Sequence, residues 1–139
     1  MKNNWKKWAG ILCMTLSLPT ASYAQDEVET ELGAEIVSGY VWRGQNFGGV
    51  SIQPSLTVAY KGLSLNVWGS IGLDKEDSRE VDFTLGYENG GFSISLTDFW
   101  SVAYGDEVNY FNYGAHSTSH VFEAQIGYDF GVLAVNWYT

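Results

Sequence analysis

The segment 63–73 alternates between two kinds of side chain along its whole length. Its odd positions are apolar or glycine, and its even positions are mostly small or polar, with Trp68 as the exception. A period of two places these two sets on opposite faces of a β-strand. A soluble sheet hides its apolar face in a core, whereas a membrane barrel turns that face to lipid and keeps polar side chains inside. The pattern therefore predicts a strand and leaves its environment open.

Seven segments after residue 30 share this alternation, and turn-forming residues separate them. Residues 25–30 are predicted to be a loose acidic lead-in. Pro54 lacks the N–H group that a strand residue donates, so we expect a β-bulge at this position. We predict strands at 31–44, 50–60, 63–73, 79–88, 92–101 and 119–130, and a seventh strand that begins after Gly131.

The connections between these segments alternate in length. Lys61-Gly62, Asn89-Gly90-Gly91 and Gly131 predict tight turns, whereas 45–49, 74–78 and 102–118 are longer links. Outer-membrane barrels alternate short periplasmic turns with longer external loops in this way. We therefore predict an all-β fold, an antiparallel up-and-down meander that forms a transmembrane β-barrel. A secreted antiparallel sheet with one wet face shares the strand pattern and is the alternative.

The first 24 residues have the three parts of a secretory signal peptide: a basic start, an apolar stretch and small residues before Gln25. The apolar stretch is about half of the ~20 residues that a membrane-spanning helix needs. We predict a signal peptide at 1–24, cleaved after Ala24, and one domain at 25–139 in the bacterial outer membrane. Cys13 is the only cysteine, so the predicted domain has no thiol.

Removal of the signal peptide makes the chain strongly acidic. Four basic residues then face sixteen acidic ones, which gives a net charge of −12. Such a charge repels nucleic acid and anionic head groups, so no nucleic-acid partner is expected. The expected partners are outer-membrane lipid and the barrel-assembly machinery, and a homo-oligomer is left open.

The alternation also assigns side chains to the two faces of the sheet. The excess of inward carboxylates over Arg43 predicts a lumen that favours cations. Aromatic side chains near strand ends are typical of membrane interfaces. The predicted lumen-facing polar residues are Glu35, Arg43, Gln53, Asp82, Glu88, Glu123, Gln125 and Asp129. The predicted outward interface aromatics are Tyr40, Trp42, Tyr60, Tyr87, Trp100, Tyr128 and Trp137.

Few residues suggest catalysis or metal binding. His116 and His120 stand four residues apart, a spacing that could bind a metal on a helix, but here a strand follows them. No nucleophile motif or phosphate-binding loop is present in the sequence. We therefore predict no catalytic residue, no metal site and no cofactor. A barrel enzyme acting on lipid would need a serine close to His116 or His120.

Three short motifs resemble the TorF-like porin family of Gram-negative outer-membrane proteins. They are Ser38-Gly39-Tyr40-Val41-Trp42-Arg43-Gly44-Gln45, Ser51-Ile52-Gln53-Pro54-Ser55 and Asn66-Val67-Trp68-Gly69-Ser70. The resemblance covers roughly residues 30–139. It implies an outer-membrane barrel with a pore role and no defined substrate.

The chain departs from this family in length. Members are longer, and a closed bacterial barrel has an even number of strands, at least about eight. Seven predicted strands therefore suggest the N-terminal portion of a barrel, or a barrel that closes with another copy. The predicted function is a porin or structural envelope protein that lets small solutes pass passively. The alternative function is a secreted β-sheet protein that binds a small ligand or glycan.

Overall fold

The computed structural model describes residues 16–17, 21–25, 28–103, 105–106 and 108–139, with side chains from residue 28 onward. Most of the predicted signal peptide lies outside these ranges. No helix in the described part of the chain is long and apolar enough to cross a membrane. The strands are β1 Leu16–Ser17, β2 Ala21–Gln25, β3 Val28–Val37, β4 Tyr40–Trp42, β5 Gln45–Gly48, β6 Ser51–Tyr60, β7 Leu63–Gly72, β8 Arg79–Asn89, β9 Phe92–Val102, β10 His120–Asp129 and β11 Ala134–Tyr138.

Nine of these strands form one antiparallel sheet. Its order is β1-β3-β6-β7-β8-β9-β10-β11, and β2 also pairs with β3. The predicted all-β antiparallel meander of seven main strands is confirmed, since β3 and β6 to β11 pair in chain order. Six antiparallel ladders separate β3 from β11, so these two strands run in the same direction. They do not pair with each other in the described sheet.

The first predicted strand is wrong at both of its ends. Residues 28–30 belong to β3 and are not a loose lead-in, and β3 ends at Val37 instead of continuing to residue 44. The strands β4 and β5 form a separate two-stranded hairpin. The chain leaves the sheet at Ser38-Gly39 and then turns at Arg43-Gly44, where both residues have positive φ angles of 47° and 79°. Two left-handed residues in a row are the geometry of a tight hairpin turn.

Pro54 does not cause the predicted bulge. The register between β6 and β7 is the same before and after it, with Ile52 opposite Ile71 and Ser55 opposite Trp68. No extra residue is therefore inserted. The missing N–H group of proline only interrupts the ladder locally.

The two faces of the sheet differ in polarity and in side-chain volume. The outer face is defined here as the one that carries the row Val58, Leu65, Leu85 and Leu96, which register across four strands. The inner face carries the neighbouring row Ala59, Ser64, Gly86 and Ser95. In these rows, large apolar side chains line the outer face and small ones line the inner face, which elsewhere also carries Trp68 and Phe99.

The sheet curves so that its inner face is concave. Arg43 follows β3 closely in the chain, yet its guanidinium lies 2.7 Å from the Glu123 carboxylate on β10. At about 4.8 Å per strand, a flat sheet would separate β3 from β10 by about 24 Å. The contact is therefore made across the concave side, where the β4–β5 hairpin lies.

Candidate functional site

A cavity of about 740 Å³ lies between the inner face and the β4–β5 hairpin. Side chains from β7 to β11 line it, together with Trp42 and Arg43 from the hairpin. The polar lining residues are Asn66, Asp82, Thr84, Thr97, Glu123 and Gln125. We refer to this space as the inner cavity.

Aromatic rings hold the hairpin against the inner face. The Tyr40 ring lies 5.6 Å from that of Trp68, and the Trp42 ring lies 5.5 Å from that of Phe99. The prediction that Tyr40 and Trp42 point outward is therefore wrong. The prediction assumed that inward and outward side chains keep alternating past Ser38-Gly39, but the chain has already left the sheet there.

The tip of the hairpin is fixed by charge. Arg43 forms an ion pair with Glu123 at 2.7 Å, and its guanidinium carbon lies 4.1 Å from the Trp42 ring centre. It also approaches the Tyr138 ring at 5.3 Å. Arg43 is about half exposed and Glu123 is mostly covered. One basic group thus joins the hairpin to two strands on the far side of the inner cavity.

Two carboxylates on β8 are buried beneath the hairpin. Glu80 is 5% exposed and Asp82 is 8% exposed. Glu80 accepts a hydrogen bond from the Tyr40 hydroxyl, and burial together with this carboxylate raises the pKa of Tyr40. In the described part of the structure, Glu80 Oε2 and Asp82 Oδ1 have no hydrogen-bond partner. Of the acidic side chains, Asp82 and Glu123 line the inner cavity, so its carboxylates outnumber Arg43.

Two further predicted polar residues, Gln53 and Gln125, lie at different positions along the strands of the inner face. Gln53 donates to the Ser51 and Ser70 hydroxyls, at 3.2 and 3.4 Å. Gln125 donates to Asn136 at 3.1 Å.

Three more predicted lumen residues are exposed. Glu35 lies opposite Gln53 in the ladder, on the same face. Glu88 and Asp129 lie beside the tight turns, where Asp129 accepts a hydrogen bond from the Gly131 N–H. Of the eight predicted lumen-facing residues, Arg43, Asp82, Glu123 and Gln125 line the inner cavity.

Four predicted interface aromatics are exposed on the outer face. Tyr60, Tyr87 and Trp137 belong to one continuous cross-strand row, linked through Leu63, Ile94 and Ile126. Tyr128 lies one step nearer the tight turns, opposite Phe92. Their exposed fractions run from 38% to 60%. Their role at a membrane interface stays a prediction.

A second polar cluster lies on the outer face, and sequence reasoning missed it. Asp98 and His120 are paired, with 2.7 Å between Asp98 Oδ1 and His120 Nδ1. Trp100, a predicted interface aromatic, lies opposite His120 in the ladder. The signal was in the sequence, because Asp98 continues the outward parity of Phe92, Ile94 and Leu96.

Comparison with protein-family models, curated proteins and solved structures finds no match. The resemblance to the TorF-like porins therefore stays a prediction.

The second ring nitrogen of His120 also has a partner. A His–Asp pair in a hydrolase uses the free ring nitrogen to activate a nucleophile. Here His120 Nε2 lies 2.6 Å from the Tyr110 carbonyl oxygen. His116 is exposed in the preceding loop, at a φ of 70°. No group of three or more His, Cys, Asp or Glu residues that could hold a metal occurs in the described ranges.

Proposed function

We propose that this chain is an outer-membrane β-barrel protein, or the N-terminal portion of one, that lets small solutes pass along its inner face. The observation that supports the proposal is the inverted distribution of side chains. Among the described residues, 32 large hydrophobic side chains are exposed, whereas Val37 alone is a buried hydrophobic. The buried polar residues are Ser51, Gln53, Ser70, Glu80, Asp82 and His120.

The size of the exposed apolar surface favours lipid over water. Burying one Leu-sized side chain is worth about 1.5–3 kcal/mol, so a sheet that exposes many of them in water forgoes a large stabilisation. Contiguous apolar patches on soluble monomers are much smaller than a whole face of a sheet. Lipid supplies the missing apolar surroundings for this face. The resemblance to the TorF-like porins supports the same role.

Fractionation of the expressed protein tests the membrane part of this proposal. We expect the folded chain in the outer-membrane fraction, with gel migration that changes on heating, as is typical of barrels. A folded chain that is soluble without detergent would contradict the proposal. It would favour the alternative, a secreted sheet that binds a small ligand or glycan.

The charges of the inner cavity support a preference for cations. Within the described residues, Glu80 Oε2 and Asp82 Oδ1 are buried with no hydrogen-bond partner, while Arg43 is already paired with Glu123. Rings of carboxylates favour cation passage through a pore. We expect reversal potentials in planar bilayers to show cation selectivity, reduced in the double variant Glu80→Gln/Asp82→Asn. Glu76→Gln, in an exposed loop of β7–β8, is the matched control. Anion selectivity of the unchanged protein would contradict this assignment.

A further inference from the structure

The longest connection in the sheet lies on its outer face. It joins β9 to β10, and we call its residues 108–119 the outer flap. The Tyr110 ring lies 5.2 Å from Trp100 and 6.3 Å from Phe83, both on the outer face. The Tyr113 ring stacks on His120 at 4.1 Å. The flap therefore packs against the side of the sheet that the proposed function turns to lipid.

The outer flap covers the Asp98–His120 pair. Asp98 lies in a cross-strand row with Leu56, Val67, Phe83 and Phe122 and is the one charged residue among them. The flap supplies the Tyr110 carbonyl to His120 Nε2, and the Tyr113 hydroxyl lies 3.4 Å from Asp98 Oδ2. The His120 side chain is fully covered.

Next to lipid, this cover has a clear physical reason. In water, an exposed Asp–His pair is solvated and needs no further partners. On the lipid face of a barrel, a charge costs up to about 2–4 kcal/mol, depending on depth. Both ring nitrogens of His120 have an oxygen within hydrogen-bonding distance, Asp98 Oδ1 at 2.7 Å and the Tyr110 carbonyl oxygen at 2.6 Å. The flap therefore supplies Asp98 and His120 with polar partners that water would provide elsewhere.

The backbone of the outer flap is bonded internally. The Asn109 side chain accepts from the Phe111 N–H at 3.0 Å, and the Asn112 side chain accepts from the Gly114 N–H at 3.1 Å. The Asn112 amide also donates to the Ser117 carbonyl at 2.8 Å. Irregular backbone next to lipid needs such internal partners, because no water is available to it there.

Two large aromatic side chains of the flap are exposed. Phe111 is 80% exposed and Tyr113 is 51% exposed, and Phe122 beside them on the outer face is 54% exposed. Aromatic side chains are enriched where a membrane protein crosses the headgroup level. Phe111 and Tyr113 thus adjoin the apolar outer face, which Phe122 continues.

We propose that the outer flap contacts the headgroup region of the bilayer through Phe111, Tyr113 and Phe122 while it shields the Asp98–His120 pair from lipid. This inference rests on the proposed membrane function. It adds that the outer flap lies against the apolar outer face of the sheet. A typical external loop projects into water instead.

Spin labels on single cysteines test this inference in lipid vesicles of the full chain. The background carries Cys13→Ser, so that each label is unique. Labels are placed at Phe111→Cys on the flap, Leu85→Cys on the outer face and Val132→Cys in a tight turn. Relaxation by oxygen reports contact with lipid, and relaxation by a water-soluble nickel complex reports contact with water. We expect the Leu85 label to respond to oxygen, the Val132 label to nickel, and the Phe111 label more to oxygen than to nickel.

The outcomes separate the inference from the proposed function. If the Leu85 label responds to oxygen and the Phe111 label responds to nickel like the Val132 label, the membrane function stands and the flap inference fails. A Phe111 label shielded from both reagents means burial against protein and also overturns the inference. If the Leu85 label itself responds to nickel, the proposed membrane function fails, and the inference falls with it.

A second comparison tests whether His120 holds the flap in place. His120→Asn should release the flap, so the nickel response of the Phe111 label should rise severalfold. His116→Asn is the matched control, because His116 is exposed in the same segment. Equal responses in the two variants would show that the flap is held without His120, which contradicts the assigned attachment.

Discussion

The β4–β5 hairpin and the outer flap leave the same end of the sheet, yet they fold onto opposite faces. The hairpin follows β3 and covers Glu80 and Asp82 on the inner face, whereas the flap follows β9 and covers Asp98 on the outer face. Each connection brings a tyrosine hydroxyl to a carboxylate. The comparison shows that two connections at one end of the sheet can cover opposite faces, each at a largely covered carboxylate.

The two connections are also attached by different means. The hairpin is held by an ion pair whose basic partner is about half exposed, together with aromatic contacts to Trp68 and Phe99. The flap is held by His120, which is fully covered and bonded through both ring nitrogens. We therefore expect the flap attachment to contribute more to stability than the Arg43–Glu123 pair, because exposed pairs are screened by water.

The largest effect is expected at the flap attachment. His120→Phe keeps a ring at this position but leaves Asp98 covered and without its ion-pair partner, which costs about 3–5 kcal/mol. The double variant His120→Phe/Asp98→Leu should recover most of this loss, because the unpaired charge is gone. Urea unfolding of the protein in vesicles measures both. If the double variant is no more stable than the single one, the cost does not arise from the unpaired carboxylate.

A charge on the outer face away from the flap tests the contrast between the faces. Leu85→Lys places an uncovered charge in the proposed lipid, and we expect a loss of about 2–4 kcal/mol in vesicles. Thr84→Lys, the adjacent inner-face residue, is the matched control and should cost much less because the inner cavity is polar. Similar losses for both variants would contradict the assignment of the two faces.

A smaller effect on stability is expected at the hairpin tip. Arg43→Gln removes a partly exposed ion pair, so the loss should stay below about 1 kcal/mol. Its effect on conductance should be clearer, because the tip of the hairpin is no longer fixed to β10 and β11. Lys61→Gln, at the opposite end of the sheet, serves as the control. A conductance that rises equally in both variants would show that Arg43 does not restrict the inner cavity.

The smallest effect is expected from pH. Burial, then the Tyr113 hydroxyl and the Asp98 charge, raise the pKa of Tyr110 to about 12. Because this lies above the usual value of about 10, the flap's stabilisation through Tyr110 is complete below pH ~10 and is lost as pH rises towards ~12. Tyrosinate absorbance should show a late step that Tyr110→Phe removes. An unchanged curve in that variant would contradict the shift.

The regular part of the fold follows directly from the sequence. A period of two and paired turn residues predict β6 to β10 to within a few residues, because neither signal depends on distant contacts. The tight turns at Lys61-Gly62 and Gly90-Gly91 are confirmed, with positive φ at each of these residues. Arg43-Gly44 carries the same kind of signal and was read as part of a strand.

The site was harder to predict, because the alternation of side chains assigns a face of the sheet only to residues within a strand. Tyr40 and Trp42 keep the outward parity of β3, but the hairpin turns them towards Trp68 and Phe99. The outer flap has no periodicity, and its position depends on His120, a residue distant from Asp98 in sequence. Two polar side chains at positions of the alternation that belong to the outer face, Asp98 and His120, are the one clue that the sequence offered.

The difference in side-chain volume between the two faces has a mechanical consequence. A Cβ atom at Gly127 would collide with the Asn136 side chain, and one at Gly86 would lie 2.8 Å from the Ser64 hydroxyl. At these two positions the concave side has no room for a larger side chain, while leucine and valine occupy the matching rows on the convex side. The direction of bending is therefore encoded in side-chain bulk. A larger side chain at Gly86 or Gly127 would push neighbouring strands apart on the concave side. The sheet would then bend less, and the inner cavity would not become smaller.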